Sequence, residues 1–111
     1  MSAPEAAIQR AISDTLSAHG FLVIRVNSGL ARALHGEGAV QLAPAGTPDL
    51  LAVPPSGAPW WLEVKTDAGR LRPAQTAMHE ALRERGQTVH VVRSVDHLLR
   101  LLEVAGLSRE A

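Results

Sequence analysis

Two charged residues, Glu63 and Lys65, lie two positions apart in the apolar segment 59–66, PWWLEVKT. Side chains two apart in a β-strand point to the same face, so a strand here would place a carboxylate beside an ammonium. Lys65 is the single lysine among 11 basic residues. Because an ammonium is a compact point charge and a guanidinium a planar fork, this position favours a role that needs a point charge. The alternative is an exposed strand face with a loose ion pair.

A second carboxylate, Asp49, opens the upstream apolar segment 49–53, DLLAV. The Pro-Pro-Ser-Gly sequence that follows predicts a turn, so the two segments form an antiparallel hairpin that brings Asp49 close to Glu63 and Lys65. Two carboxylates would bind a divalent cation such as Mg²⁺ through hard oxygen ligands, leaving the ammonium for a substrate phosphate or a water. The alternative is that Asp49 is a turn residue, since Asp after Pro is common in turns.

Glu5 lies on the apolar stripe of the first predicted helix, because Ile8, Ile12 and Leu16 follow it by three, seven and eleven residues. This spacing points Glu5 toward the sheet, where a buried carboxylate must be paired, hydrogen-bonded or metal-linked. The alternative is an exposed acid in the first turn that interacts with the helix dipole.

Gln75 has the same relation to Met78 and Leu82, three and seven residues further along a second predicted helix. It therefore shares the apolar stripe that we expect to consist of Ala74, Met78, Ala81 and Leu82. Its alternative role is a solvated amide at the start of the helix.

The elements that position these side chains follow from periodicity and turn residues, in the order α-β-β-β-α-β-α. We predict helices over 4–19, from Pro73 to Gly86, and after the N-cap Ser94, and strands over 21–26, 49–53, 59–66 and 88–92. The last helix is expected to bury Val95, Leu98, Leu99 and Leu102. Residues 27–47 predict a long loop with a short hairpin at 39–43. Apolar stripes on helices at both sides of the sheet predict that both of its faces are at least partly covered.

Composition narrows the class of protein. The 111 residues predict one domain, 1–111, and the absence of cysteine excludes thiolate chemistry and disulfides. A formal net charge of zero argues against a protein that coats DNA. We expect no membrane association and a cytoplasmic location, because the apolar runs are short and no secretory signal is apparent. The five histidines show no metal-ligand spacing, and we interpret them as structural or surface residues, with His35 in the loop the one to watch.

The candidate residues stand in an order that resembles a known signature. Pro48-Asp49 followed by Glu63-Val64-Lys65 resembles the PD-(D/E)XK nuclease motif, with Glu5 and Gln75 at its accessory positions. The wider context resembles the VRR-NUC branch, the virus-type replication-repair nuclease domain, over roughly residues 5–103. That context comprises Arg25-x-Asn27-Ser28-Gly29, the glycine-rich loop, Leu71-x-Pro73-x-x-Gln75 and Val91-Val92-Arg93-Ser94.

The resemblance implies a restriction-endonuclease-like α/β/α fold with a mixed sheet of four or slightly more strands. It also implies metal-dependent hydrolysis of branched DNA, such as four-way junctions or flaps, by a homodimer in a bacterial or phage-infected cell. Asp49 and Glu63 would bind Mg²⁺ or Mn²⁺ with the backbone carbonyl of Val64, and Glu5 would act directly or through water. Lys65 would act on the water or the scissile phosphate, and Gln75 would hold Lys65 or a phosphate. Our candidates for phosphate contacts are Asn27, Arg70 and Arg72.

Two other functions fit parts of the sequence. A nuclease-like module that binds branched DNA or a partner protein without cutting agrees with the zero net charge, although the intact carboxylate pair argues against it. A hydrolase of small phosphate esters is disfavoured, because no glycine-rich phosphate loop such as GxxxxGK[ST] enters a helix.

Overall fold

The computed structural model of the chain describes residues 3–26 and 43–107. These residues form three helices and four strands in the predicted order. They are α1 (Ala3–Ala18), β1 (Leu22–Arg25), β2 (Leu50–Val53), β3 (Trp60–Val64), α2 (Pro73–Glu84), β4 (Thr88–Val92) and α3 (Val95–Val104). The hairpin expected at 39–43 lies outside the described residues except for its last position.

The four strands form one mixed sheet in the order β1-β2-β3-β4. The first three strands are antiparallel neighbours, with Leu50 opposite Leu62 across the predicted hairpin. Strand β4 is parallel to β3 and places Val91 opposite Glu63. A parallel pair needs a crossover connection, which α2 provides. The predicted α/β class with a mixed four-stranded sheet is confirmed.

The two faces of the sheet are covered by different helices. Helices α1 and α3 pack on one face, where Ile12, Leu16, Leu98 and Leu102 join Leu50, Ala52, Leu62, Val64 and Val92 in the core. Since Glu63 alternates with Leu62 and Val64 along β3, its side chain points to the opposite face. There it contacts α2, which packs against β4. Glu63 is therefore buried rather than solvated.

Three predictions about individual positions are wrong. Strand β3 ends at Val64, so Lys65 lies just beyond it. Leu99 is 38% exposed, because it lies about 100° around α3 from Leu98, and Leu101 packs against the core instead. Ala74 is exposed, because α2 buries a stripe centred on His79, about 140° away around the helix.

No helix in the described parts of the chain is long and apolar enough to span a membrane.

Candidate active site

Asp49 is held at the start of β2 by its neighbours on both sides. Its Oδ2 accepts a hydrogen bond from the backbone N–H of Val64 at 2.8 Å, and its backbone carbonyl accepts one from Val26 at 2.9 Å. The hairpin thus brings Asp49 to the end of β3, as its turn sequence predicts. An aspartate that was only a turn residue would bond within its own turn, whereas this carboxylate bonds across to the next strand.

Gly46, three residues before Asp49, allows α2 to approach this end of the sheet. Gly46 has φ +85°, and a Cβ there would lie 2.1 Å from the carbonyl oxygen of Ala74. No side chain fits that space, so only glycine permits this contact with the first turn of α2. Thr47 stabilises the same turn by donating its hydroxyl hydrogen to the carbonyl of Pro44 at 2.6 Å. The approach places Gln75 and the rest of α2 beside the carboxylates.

Glu63 is the most strongly perturbed group of the site. Its side chain is 2% exposed, and its pKa is raised from 4.5 to about 9. Burial is the largest cause, followed by the adjacent carboxyl and negative charge of Asp49. The Lys65 ammonium opposes this rise, and Glu5 adds to it least. Without a cation, Glu63 therefore keeps its proton near neutral pH.

Helix α2 contacts both oxygens of the Glu63 carboxyl group. His79 Nε2 lies 3.0 Å from Oε1, and Gln75 Nε2 lies 3.5 Å from Oε2. Gln75 Oε1 accepts a hydrogen bond from the Arg72 backbone N–H at 2.8 Å, which fixes the amide. The pKa of His79 is lowered, chiefly by burial and then by the charges of Arg83 and Lys65.

His79 is a residue of this site that the sequence analysis left among the structural histidines. It is the one buried residue of α2. The available signal was its position four residues after Gln75 and three before Leu82, which places all three on one helical face. The apolar stripe predicted from Ala74, Met78, Ala81 and Leu82 did not include His79.

Lys65 is 8% exposed and directly follows β3. Its backbone N–H donates to the carbonyl of Val92 at 3.1 Å, so it continues the pairing with β4. The turn after it is held by Arg93, whose guanidinium donates to the carbonyls of Thr66 and Gly69, both at 2.6 Å. The charge of Lys65 acts on Glu63, from a backbone that is anchored on both sides.

The other residues predicted to belong to the site are Glu5, Arg70, Arg72 and Asn27. Glu5 is half-buried in the first turn of α1, and its charge acts on Glu63. Arg70 and Arg72 are exposed on the segment that leads into α2, where Arg72 is the N-cap. Asn27 and His35 lie outside the described residues. The metal and DNA roles assigned to all of these residues, and to the Val64 carbonyl, remain predictions.

The donor set at the carboxylate pair fits a hard divalent cation. Burial and the adjacent Asp49 raise the pKa of Glu63, and a cation bound there would replace the proton of Glu63. Within residues 3–26 and 43–107, however, no three side chains of His, Cys, Asp or Glu form a preassembled ligand group. Asp49 and Glu63 would therefore be the protein's principal ligands, with the other positions filled by backbone, water or substrate oxygens.

A mixed sheet between helices, with Asp49 and Glu63-Val64-Lys65 at one end, defines a restriction-endonuclease-like α/β/α fold. The chain belongs to the VRR-NUC domain family, whose model matches residues 3–96.

Solved structures support this assignment. One, described as a VRR_NUC domain, is 31% identical with a TM-score of 0.70, over 92% of this chain and 97% of that chain. A second, described as a VRR_NUC domain protein, is 18% identical with a TM-score of 0.62, over 94% and 88%, and shows the shared fold. Among the curated proteins, none matches this chain.

Proposed function

We propose that the protein is a Mg²⁺- or Mn²⁺-dependent endodeoxyribonuclease that hydrolyses phosphodiester bonds in branched DNA, such as four-way junctions or flaps. The observation that carries the proposal is the half-buried Asp49 and the buried Glu63 together with the chain's single lysine, at one end of the sheet. Membership of a nuclease-fold family supports the reaction class.

Asp49 and Glu63 are the residues that would hold the cation. When bound, a divalent cation supplies a Lewis acid for the phosphate and lowers the pKa of a coordinated water. Asp49 is oriented for this role by the Val64 N–H, and Glu63 by its contacts with α2. Glu5 would add negative charge at the edge of the site and assist through water.

Lys65 would act on the substrate. Its ammonium can orient the attacking water or offset the charge that develops on the scissile phosphate. The low exposure of Lys65 strengthens such an interaction, because water screens it less. Gln75 on α2 would hold Lys65 or a phosphate. The exposed Arg70 and Arg72 would contact neighbouring phosphates.

We further propose a homodimer. A four-way junction has two equivalent strands to cut, and a two-fold dimer would present one site to each. Sedimentation at tens of micromolar tests this state directly, and a monomer there would contradict it.

A non-cleaving module that binds branched DNA or a partner protein is the second candidate. Two observations favour it: the formal net charge of zero, and the absence of a preassembled three-residue ligand group in the described parts of the chain. It differs from the first candidate in needing neither the cation nor Lys65.

The deciding experiment compares four-way junction, flap, linear duplex and single-stranded DNA with Mg²⁺, Mn²⁺ or EDTA. We expect metal-dependent cutting of one branched substrate, lost in Asp49→Ala and reduced about 10²-fold or more in Lys65→Met. Glu80→Gln, which changes an exposed carboxylate on α2, is the matched control and should cut normally. Binding of a branched substrate without cutting in either metal would favour the non-cleaving module.

A further inference from the structure

Within the described residues, His79 makes one polar contact, and that contact is with Glu63. Its side chain is 1% exposed, and its Nε2 lies 3.0 Å from Glu63 Oε1. The other ring nitrogen, Nδ1, is buried and has no hydrogen-bond partner in the described part of the chain. The ring is therefore held by Glu63 through Nε2, while Nδ1 is buried without a hydrogen bond from the described residues.

Packing alone does not explain a histidine at this position. A buried nitrogen without a partner costs free energy, and an apolar side chain on the same helical face would avoid that cost. Leu82, one turn further along α2, shows the residue type that usually fills such a stripe. The contact with Glu63 is what an apolar replacement could not provide.

Gln75 cannot supply the same restraint. Its Nε2 is 3.5 Å from Glu63 Oε2, which is at the outer limit of a hydrogen bond, and its Oε1 is engaged by the Arg72 backbone. The imidazole at 3.0 Å is the stronger partner, and as the Nε2–H tautomer it can donate to the carboxylate form of Glu63 that would bind a cation.

We propose that His79 is a positioning residue for the metal site: it donates its Nε2 hydrogen to Oε1 of Glu63 and holds that carboxylate in one orientation for the cation. The inference rests on the proposed function, because it assumes that Glu63 binds a metal. Partners that orient metal-binding carboxylates typically contribute 10–100-fold to metal affinity.

The test measures Mn²⁺ binding by calorimetry for the wild type, His79→Leu and His79→Gln, with urea unfolding of each in EDTA. We expect His79→Leu to remain cooperatively folded and to bind Mn²⁺ about 10–100-fold more weakly. His79→Gln, whose amide nitrogen can also donate, should recover most of the affinity. A purely structural histidine would lower stability in both variants and leave the affinity of the folded protein unchanged.

His90→Leu is the matched control. His90 is a second half-buried histidine of lowered pKa, chiefly through burial, but it lies in β4 opposite Leu62 and contacts Trp60 on the core face. Its replacement should leave the Mn²⁺ affinity of the folded protein unchanged.

The outcomes separate the two proposals. Equal Mn²⁺ affinity in the wild type and His79→Leu would overturn the role of His79 and leave the nuclease proposal intact. Failure of the wild type to bind Mn²⁺ or Mg²⁺ would overturn the metal site and the role of His79 with it.

Discussion

Replacing Glu63 by glutamine should make the metal-free protein more stable, by an amount that grows with pH. The pKa of Glu63 is raised from 4.5 to about 9, first by burial and then by Asp49. Between these two values the folded state holds a proton that the unfolded state releases. The wild type therefore has its full stability below pH 4.5 and loses it as the pH rises toward 9.

The size of the effect follows from the width of that interval. Each pH unit between the two pKa values costs about 1.36 kcal/mol. Three units, from pH 5 to pH 8, lower the free energy of unfolding of the wild type by about 4 kcal/mol. This is a large share of the 5–15 kcal/mol that typically stabilises a folded protein. Glutamine has a similar shape and no charge, so Glu63→Gln should lack this loss.

The assay is urea unfolding in EDTA at pH 5, 6, 7 and 8. The difference between the wild type and Glu63→Gln isolates Glu63, because other titrating groups are common to both proteins. Glu80→Gln, at an exposed position on α2, should show no pH-dependent difference. Asp49→Asn should narrow the pH range over which stability is lost without abolishing the loss, since burial is the larger cause of the raised pKa. A Glu63→Gln difference that stays constant from pH 5 to pH 8 would refute the reasoning.

Two further predictions follow from the same contacts. Because a bound cation must displace the proton of Glu63, Mn²⁺ affinity should rise about tenfold per unit from pH 6 to pH 8 with release of about one proton; calorimetry in buffers of different ionisation enthalpy measures both, and affinity independent of pH would contradict it. Gly46→Ala should destabilise the protein by more than the ~1–3 kcal/mol expected for backbone strain, because its Cβ would meet the Ala74 carbonyl. Gly86→Ala is the control, with φ +79° and no atom within 4 Å of its Cβ, and equal losses in urea unfolding would disprove the contact.

The positions of Asp49, Glu63 and Lys65 were predictable because each depends on local sequence. A period of two places Glu63 on the face opposite Leu62 and Val64, and a four-residue turn pairs its strand with the one that follows Asp49; Lys65 comes directly after the end of β3. The structure confirms this pairing through the 2.8 Å bond from Val64 to Asp49. The burial of Glu63 also followed from a local signal, because apolar helical stripes on both sides of the sheet require two covered faces.

The contacts made by α2 were harder to predict, because they depend on how the helix is rotated about its axis. Apolar residues alone placed the buried stripe on Met78 and Ala74, whereas the helix turns His79 toward the sheet. The spacing of Gln75, His79 and Leu82 agrees with this rotation. The close approach at Gly46 and the contact between His79 and Glu63 accompany it.

The two faces of the sheet therefore have different roles. The face under α1 and α3 is apolar and supplies the core, so Leu62 and Val64 hold β3 in place. The face under α2 has Glu63 of the same strand, and its burial costs free energy that the core must offset. A perturbed Glu63 can persist only because its neighbours in sequence are fully buried on the other face. The side chains of the five-residue strand β3 alternate between the two faces. They thus couple the apolar core on one face to the buried carboxyl group of Glu63 on the other.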